Sequence, residues 1–96
     1  MKPPSNPAHL SADGFVRTQE SDARINQIIA ATFKTGTGKE TLTYLRSITQ
    51  QVVCTPDHSD AYVRHMEGKR DLVAIIMKRI EEHDNAERQR IRKSRT

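Results

Sequence analysis

The residues of this chain that could do chemistry gather in one short segment. Cys54, Asp57 and His58 lie in it, and Asp60 and His65 follow shortly after. Structural zinc sites usually show paired ligands at close spacing, so one cysteine with one nearby histidine is at most half a site. A cysteine nucleophile would need His58 or His65 as its base, and nothing in the sequence brings them together. We therefore expect a polar loop with a semi-buried cysteine, no metal site and no catalytic residue.

A second segment, Gly36 to Thr41, has the glycines and the lysine of a phosphate-binding loop. The Walker A pattern is G-x-x-x-x-G-K-[ST], in which the final hydroxyl holds magnesium. Here Phe33 occupies the first glycine position, and Glu40 occupies the hydroxyl position, where its carboxylate would repel phosphate. We expect the glycines to mark helix ends, with Gly36 suited to a left-handed cap, and we expect no cofactor.

The third chemical feature is a basic C-terminus. Five of the 16 basic residues and none of the 12 acidic ones lie after position 87, so positions 1 to 87 hold 11 basic and 12 acidic residues. The candidate nucleic-acid contacts are Arg88, Arg90, Arg92, Lys93 and Arg95. This tail has no aromatic side chain on which bases could stack, so it would contact phosphates without reading sequence. A solvated terminus that aids solubility is the alternative.

Length and composition limit what the chain can build. Its 96 residues allow one domain, and 34% hydrophobic residues support only a small core, which favours help from self-association or a partner. A single cysteine excludes an internal disulfide framework. We see no signal peptide and no apolar run near the ~20 residues that span a bilayer, so we expect a soluble protein made in a cytoplasm.

Three helical segments and two polar ends follow from the periodicity. Three of the four prolines fall in residues 1 to 14, which predicts an extended arm. Helix one should begin near Thr18 or Ser21, either of which can cap it. Its apolar stripe has the spacing of a core-facing helix and comprises Ile25, Ile28, Ile29 and Phe33.

Helix two is predicted from about Gly38 to Val52 with Thr37 as its cap, and helix three from about Asp60 to His83. Ser59 or Asp60 would cap helix three. The sequence leaves open whether helix three ends near Asp84 or continues through the charged remainder as an exposed helix. No stretch alternates with period two, so we expect no sheet. The predicted fold is all-α, a small three-helix bundle with a flexible N-terminal arm (1–17), the bundle itself (18–83) and a basic C-terminal tail (84–96).

Gly68 is the anomaly of helix three. A glycine inside an exposed helix costs about 1 kcal/mol relative to alanine, and its usual reason is the close approach of another backbone. Glu67, Lys69 and Arg70 surround it. We favour an internal helix crossing at Gly68 over a crossing between subunits, because the chain has so little core.

Helix one, the glycine turn and helix two also have the outline of a helix-turn-helix. A recognition helix should offer Arg, Asn, Gln or Lys near its start. Here the candidates are Lys39, Thr41 and Thr43, with Glu40 in the same turn. A small DNA-binding regulator, or a DNA-associated accessory protein, is therefore the alternative function.

The residues from Phe33 to Glu82 resemble a known family. Phe33, Gly38, Leu42 and Leu45, then Tyr62, then Glu67-Gly68-Lys69-Arg70, Ile76 and Ile80 resemble the small phage-protein domain typified by a Bordetella bacteriophage virion gene product. The resemblance implies a virion protein of tailed phages without known chemistry, either a head-to-tail or portal-associated piece or an internal protein ejected with DNA. The Cys54 to Ser59 loop and the basic tail lie outside the pattern.

We accordingly expect a non-enzymatic virion protein that acts by helix docking. The expected docking residues are Phe33, Gly38, Leu42, Leu45, Tyr62, Met66, Gly68, Val73, Ile76 and Ile80. The expected partners are further copies of the chain or larger virion proteins such as portal, adaptor, tail or internal proteins. Its place would be the virion, and the host cytoplasm during assembly. The arm and tail would become ordered only on binding.

Overall fold

A computed structural model describes residues 8–95 of the chain, and within them two short strands precede three helices. The elements in chain order are β1 (Ala8–Leu10), β2 (Val16–Thr18), α1 (Gln19–Phe33), α2 (Gly36–Ser47) and α3 (Asp60–Ser94). The chain is therefore mostly helical, as expected. Residues 1–7, where the proline-rich arm begins, lie outside the described part.

The expectation of an all-α chain without a sheet is wrong, because β1 and β2 form an antiparallel hairpin. Leu10 pairs with Val16 in its register. Gly14 takes φ +86°, which the turn requires, and Asp13 Oδ1 accepts the amide of Phe15 at 3.0 Å. Strands of three residues are too short to show a period-two pattern, so periodicity could not reveal them. Residues 8–17 of the expected flexible arm thus belong to this hairpin.

Side-chain caps set the helix starts. Thr18 caps α1, as predicted, by accepting the amide of Ser21, and Ser59 caps α3 by accepting the amide of Tyr62. The cap predicted for α2 is wrong. Thr35, two residues before Thr37, accepts the amide of Gly38 at 2.9 Å, so Gly36 opens α2 and does not end α1 in a left-handed cap.

The end of α2 differs from the prediction, and the end of α3, which the sequence left open, lies beyond the expected bundle. α2 stops at Ser47, short of Val52, and residues 48–51 form a turn. α3 continues through the charged remainder to Ser94, so residues 84–94 of the expected tail are helical in the isolated chain. At 1.5 Å per residue this 35-residue helix spans about 52 Å, nearly the whole 55 Å length of the molecule.

The apolar core is small. Ala30 of α1 and Met66 and Val73 of α3 are the buried apolar side chains of the described residues. Arg70 of α3 supplements this core by binding the segment after α2. Its Nε donates to the Thr49 carbonyl at 3.0 Å and its Nη2 donates to the Val52 carbonyl. α1 and α2 therefore both pack on α3, partly through polar contacts.

The close backbone approach lies at Gly38, not at Gly68. A Cβ added to Gly38 would overlap the Thr32 carbonyl and would lie 2.7 Å from Phe33 Cα. A Cβ added to Gly68 would meet nothing within 4 Å among the described residues. The internal crossing that we favoured at Gly68 is therefore wrong, because no second backbone passes near it. The alternative, a crossing between subunits, stays a prediction.

Two matched alanine substitutions test this contrast. Gly68→Ala should raise the free energy of unfolding by about 1 kcal/mol, because alanine is the better helix former and has room. Gly38→Ala should lower it by about 1–3 kcal/mol, because the α1–α2 corner must open. In thermal unfolding, a change of 1 kcal/mol moves the Tm of a domain this size by about 4–8 °C. Equal shifts of the same sign would contradict the assignment.

Candidate functional site

Most of the predicted docking residues face the interior of the fold. Gly38, Met66 and Val73 are buried, whereas Tyr62 and Gly68 are exposed. The remaining five are half-buried and comprise Phe33, Leu42, Leu45, Ile76 and Ile80. The structure thus accounts for much of the apolar stripe as internal packing and leaves the face around Gly68 open.

The loop with Cys54 and His58 has a local structural role. His58 Nδ1 accepts the amide of Thr55 at 3.0 Å, and its ring lies 4.5 Å from the ring of Tyr62 in the first turn of α3. Cys54 is half-buried as a free thiol. Within residues 8–95, no group of three His, Cys, Asp or Glu side chains is placed to hold a metal ion.

The start of α2 offers little for reading bases. Thr41 Oγ1 donates to the Thr37 carbonyl at 2.9 Å, and Thr43 Oγ1 donates to the Lys39 carbonyl at 2.9 Å. Both hydroxyls are thus bound to their own helix. A recognition helix needs side chains that project to base edges, so this geometry gives no support to the regulator alternative.

The most elaborate polar site is one that sequence reasoning missed, and it is centred on Arg79 of α3. The Arg79 side chain is 1% exposed. Its Nη1 donates to Asp22 Oδ1 at 2.7 Å and to Asn26 Oδ1 at 3.1 Å, both on α1. Its Nη2 donates to Ser11 Oγ at 2.8 Å and to Asp13 Oδ2 at 2.9 Å, both in the hairpin. One guanidinium therefore connects the hairpin, α1 and α3; we call these five residues the Arg79 cluster.

Further hydrogen bonds complete this cluster. Ser11 Oγ donates to Asp22 Oδ1 at 2.6 Å, and His9 Nε2 lies 2.5 Å from Asp22 Oδ2. No buried side-chain nitrogen or oxygen in the described residues lacks a partner. A buried ion pair is tolerated only when its remaining donors and acceptors are satisfied in this way.

An open, acidic recess of about 560 Å³ lies beside the Arg79 cluster, lined by His9, Glu20, Asp22 and Glu82 among others. Asp22 is held by the contacts above, and Glu82 accepts a hydrogen bond from Asn26 at 3.4 Å. Both carboxylates are therefore engaged in contacts that join the elements of the fold, and the recess adjoins the Arg79 cluster.

The same contacts lower the pKa of both aspartates. Burial alone would raise the pKa of Asp22, but hydrogen bonds from Ser11, Arg79 and His9 outweigh it and hold the pKa at about 2. The backbone amide of Phe15 is the main cause that lowers the pKa of Asp13, and Arg17 adds to it. Both groups therefore stay charged at neutral pH.

The predicted nucleic-acid contacts are exposed, and they lie on the last turns of α3 except Arg95, which is the C-cap of that helix. Arg90 pairs with Glu87 at 2.7 Å, and Arg88 Nη1 donates to Asn85 Oδ1 at 3.3 Å. One turn earlier, Lys34 at the end of α1 pairs with Asp84 at 2.5 Å, and this hydrogen bond lowers the pKa of Asp84. The helix beyond this ion pair presents the basic side chains to solvent. Within the described residues, no helix is both long and apolar enough to cross a membrane.

The sequence did hold one signal for the Arg79 cluster. Arg79 lies between Ile76 and Ile80 in the most aliphatic part of α3, where a charged residue needs a partner if its face is buried. The partners could not be named, because Ser11 and Asp22 are 68 and 57 residues away along the chain.

The pKa of Asp22 leads to a test by acid unfolding. Its folded value of about 2 lies below the unfolded value of 3.8, so its stabilising contribution is complete above about pH 4 and is lost as pH falls toward 2. Asp22→Asn should be less stable at pH 7 and should show a shallower fall in free energy of unfolding between pH 4 and 2. Denaturant unfolding across that range measures both. Identical pH profiles for the two proteins would contradict the assignment.

The chain was also compared with known proteins. No family model, no curated protein and no solved structure matches it. The likeness to the phage virion domain therefore stays a prediction.

Proposed function

We propose that this chain is a non-enzymatic virion protein of a tailed phage, and that it acts by helix docking through an open face of α3. The main support for docking is the exposed face of α3 around Gly68 and Leu72. Leu72 is 61% exposed, and a Cβ added to Gly68 would meet no atom of residues 8–95 within 4 Å. The occupant would be a helix of a second copy or of a larger virion protein.

The open face at Gly68 and Leu72 lies on the same side of α3 as Arg79, where other elements cover the helix. Gly68, Leu72 and Arg79 follow one another at spacings of four and seven, which places them along one side of α3. At Arg79 this side is covered by α1 and the hairpin, which bind the guanidinium. At Leu72 and Gly68, no element within residues 8–95 covers it in this way. A partner helix would extend the packing that α1 begins.

The residue types on this face suit a close helix crossing. A glycine lets a partner backbone approach closely, and a neighbouring leucine supplies apolar area, of which full burial contributes about 1.5–3 kcal/mol. The glycine costs α3 about 1 kcal/mol in the isolated chain, and no contact within residues 8–95 explains that cost. A contact made only in the assembly would explain it.

The three helices would act in this role as one bundle. Arg70, the Arg79 cluster and the Lys34–Asp84 pair hold α1 and α2 on α3, which keeps the open face in a fixed position. The virion location and the phage setting rest on the sequence resemblance. No arrangement of nucleophile, base and charge-stabilising groups in the described residues argues for an enzyme.

Self-association of the full chain tests the docking face. Gly68→Leu fills the space that a partner backbone would need, and Gly36→Leu is the control, since Gly36 also has open space above it. Wild type and control should associate as concentration rises in sedimentation velocity, and Gly68→Leu should remain monomeric while keeping its helix content. Association that is unchanged in Gly68→Leu would contradict the docking face.

The occupant of the docking face and the virion location can be tested separately. A monomeric wild type would exclude a second copy as the occupant and would leave only a larger virion protein. The virion location is tested by mass spectrometry of purified particles from the phage or prophage that encodes the chain. Absence of the chain from those particles would contradict the virion location without bearing on the docking face.

A further inference from the structure

We propose that three arginines on one side of the C-terminal end of α3 bind the phosphate backbone of duplex nucleic acid. These residues, Arg88, Arg92 and Arg95, are called the arginine row below. Their spacings of four and three place them along one face of the helix. Together with Ile91 they line one open recess of about 410 Å³. Arg90 and Lys93 lie on other sides of the same turns.

Within residues 8–95, Arg92 and Arg95 have no carboxylate partner, whereas the charge of Arg88 helps to lower the pKa of Asp84. Among residues 8–95 no carboxylate lies within ion-pair distance of any of its three guanidiniums. The two nearest acids along the helix are engaged by other cations. Asp84 pairs with Lys34 at 2.5 Å, and Glu87 pairs with Arg90 at 2.7 Å. The positive charge of Arg92 and Arg95 is therefore directed to solvent, and that of Arg88 acts on both Asp84 and solvent.

The row is also preformed. Arg88 and Arg92 are one turn apart, and like charges at that spacing repel each other. The helix dipole favours cations at a C-terminus, which offsets part of this repulsion. α3 nevertheless remains helical to Ser94. A polyanion would relieve the remaining repulsion, and little backbone entropy would be lost on binding because the helix is already formed.

Phosphate is the anion that fits this arrangement. The guanidinium fork binds phosphate oxygens in pairs, and the row spans about 10.5 Å along the helix. Duplex DNA carries one charge per about 1.7 Å of its axis, so each arginine can meet a phosphate. No aromatic side chain lies between Asp84 and Arg95 on which a base could stack. Binding should therefore not depend on sequence.

A charge-matched pair of variants tests the arginine row. Arg88→Gln/Arg92→Gln removes two charges from the row, and Arg90→Gln/Lys93→Gln removes two from other sides of the same helix. The control is strict, because loss of Arg90 also leaves Glu87 without its partner, and the unpaired carboxylate would itself weaken binding to a phosphate backbone. Fluorescence anisotropy with a 20-base-pair duplex is measured at several salt concentrations, and circular dichroism checks the helix content of each variant.

The row variant should lower the slope of log affinity against log salt by about 1.8, which is two contacts at about 0.9 each. The control should lower it by less than half as much. Scrambled duplexes should bind alike. Three results would each overturn the proposal: equal losses of affinity in both variants, no duplex binding at low salt, or equal binding to poly-glutamate. A preference for one duplex sequence would overturn binding through the backbone alone and would favour the DNA-binding regulator.

This proposal is independent of the docking face. Gly68 and Arg88 are 20 residues apart, or about 30 Å along α3. Gly68→Leu should therefore bind the duplex as the wild type does, and the row variant should associate as the wild type does. A loss of duplex binding in Gly68→Leu would show that the row works only in the assembly, which would overturn the independent site argued above.

Discussion

The architecture of this chain depends on one buried guanidinium. The apolar core is too small to hold every element, and the hairpin contributes no buried apolar side chain to it. Arg79 supplies the missing connection, because its two terminal nitrogens bind α1 on one side and the hairpin on the other. A buried ion pair is often no more stabilising than apolar packing, but removing one partner is destabilising because the groups that it bound lose their hydrogen bonds. The contribution of Arg79 is therefore to fix one arrangement.

That arrangement makes α3 the axis of the molecule. Its middle carries α1, α2 and the hairpin, and its two ends are left with different surfaces. The N-terminal half presents the open face at Gly68 and Leu72, and the last turns present the arginine row. Because a single continuous helix joins them, a partner bound at one end would hold the other end at a fixed distance and angle from itself. A docking protein placed near nucleic acid would need this geometry.

Local signals in the sequence were enough for the helices and their caps where one residue type decides the outcome. Thr18 and Ser59 each provide a hydroxyl at the right position, and α1 and α3 begin beside them. The hairpin was missed although Asp13-Gly14 is a turn signal, because its strands are too short for a pattern. The sequence places Gly38 at the start of a helix and Gly68 inside one, and only the packing of α2 on α1 shows which one needs to be glycine. The Arg79 cluster depends on residues more than 50 positions apart, which no local pattern can pair.

Amide hydrogen exchange tests the central position of Arg79 most directly. The Ser11 amide donates to the Phe15 carbonyl in the hairpin, and the Val52 amide donates to the Thr49 carbonyl after α2. In Arg79→Met the Ser11 amide should lose protection while the Val52 amide keeps it, because the hairpin loses its contacts to α3 and keeps only those of Ser11 and His9 to Asp22. Arg70→Met, which removes the anchor of the other segment, should show the reverse. Unchanged protection of the Ser11 amide in a folded Arg79→Met protein would contradict the account.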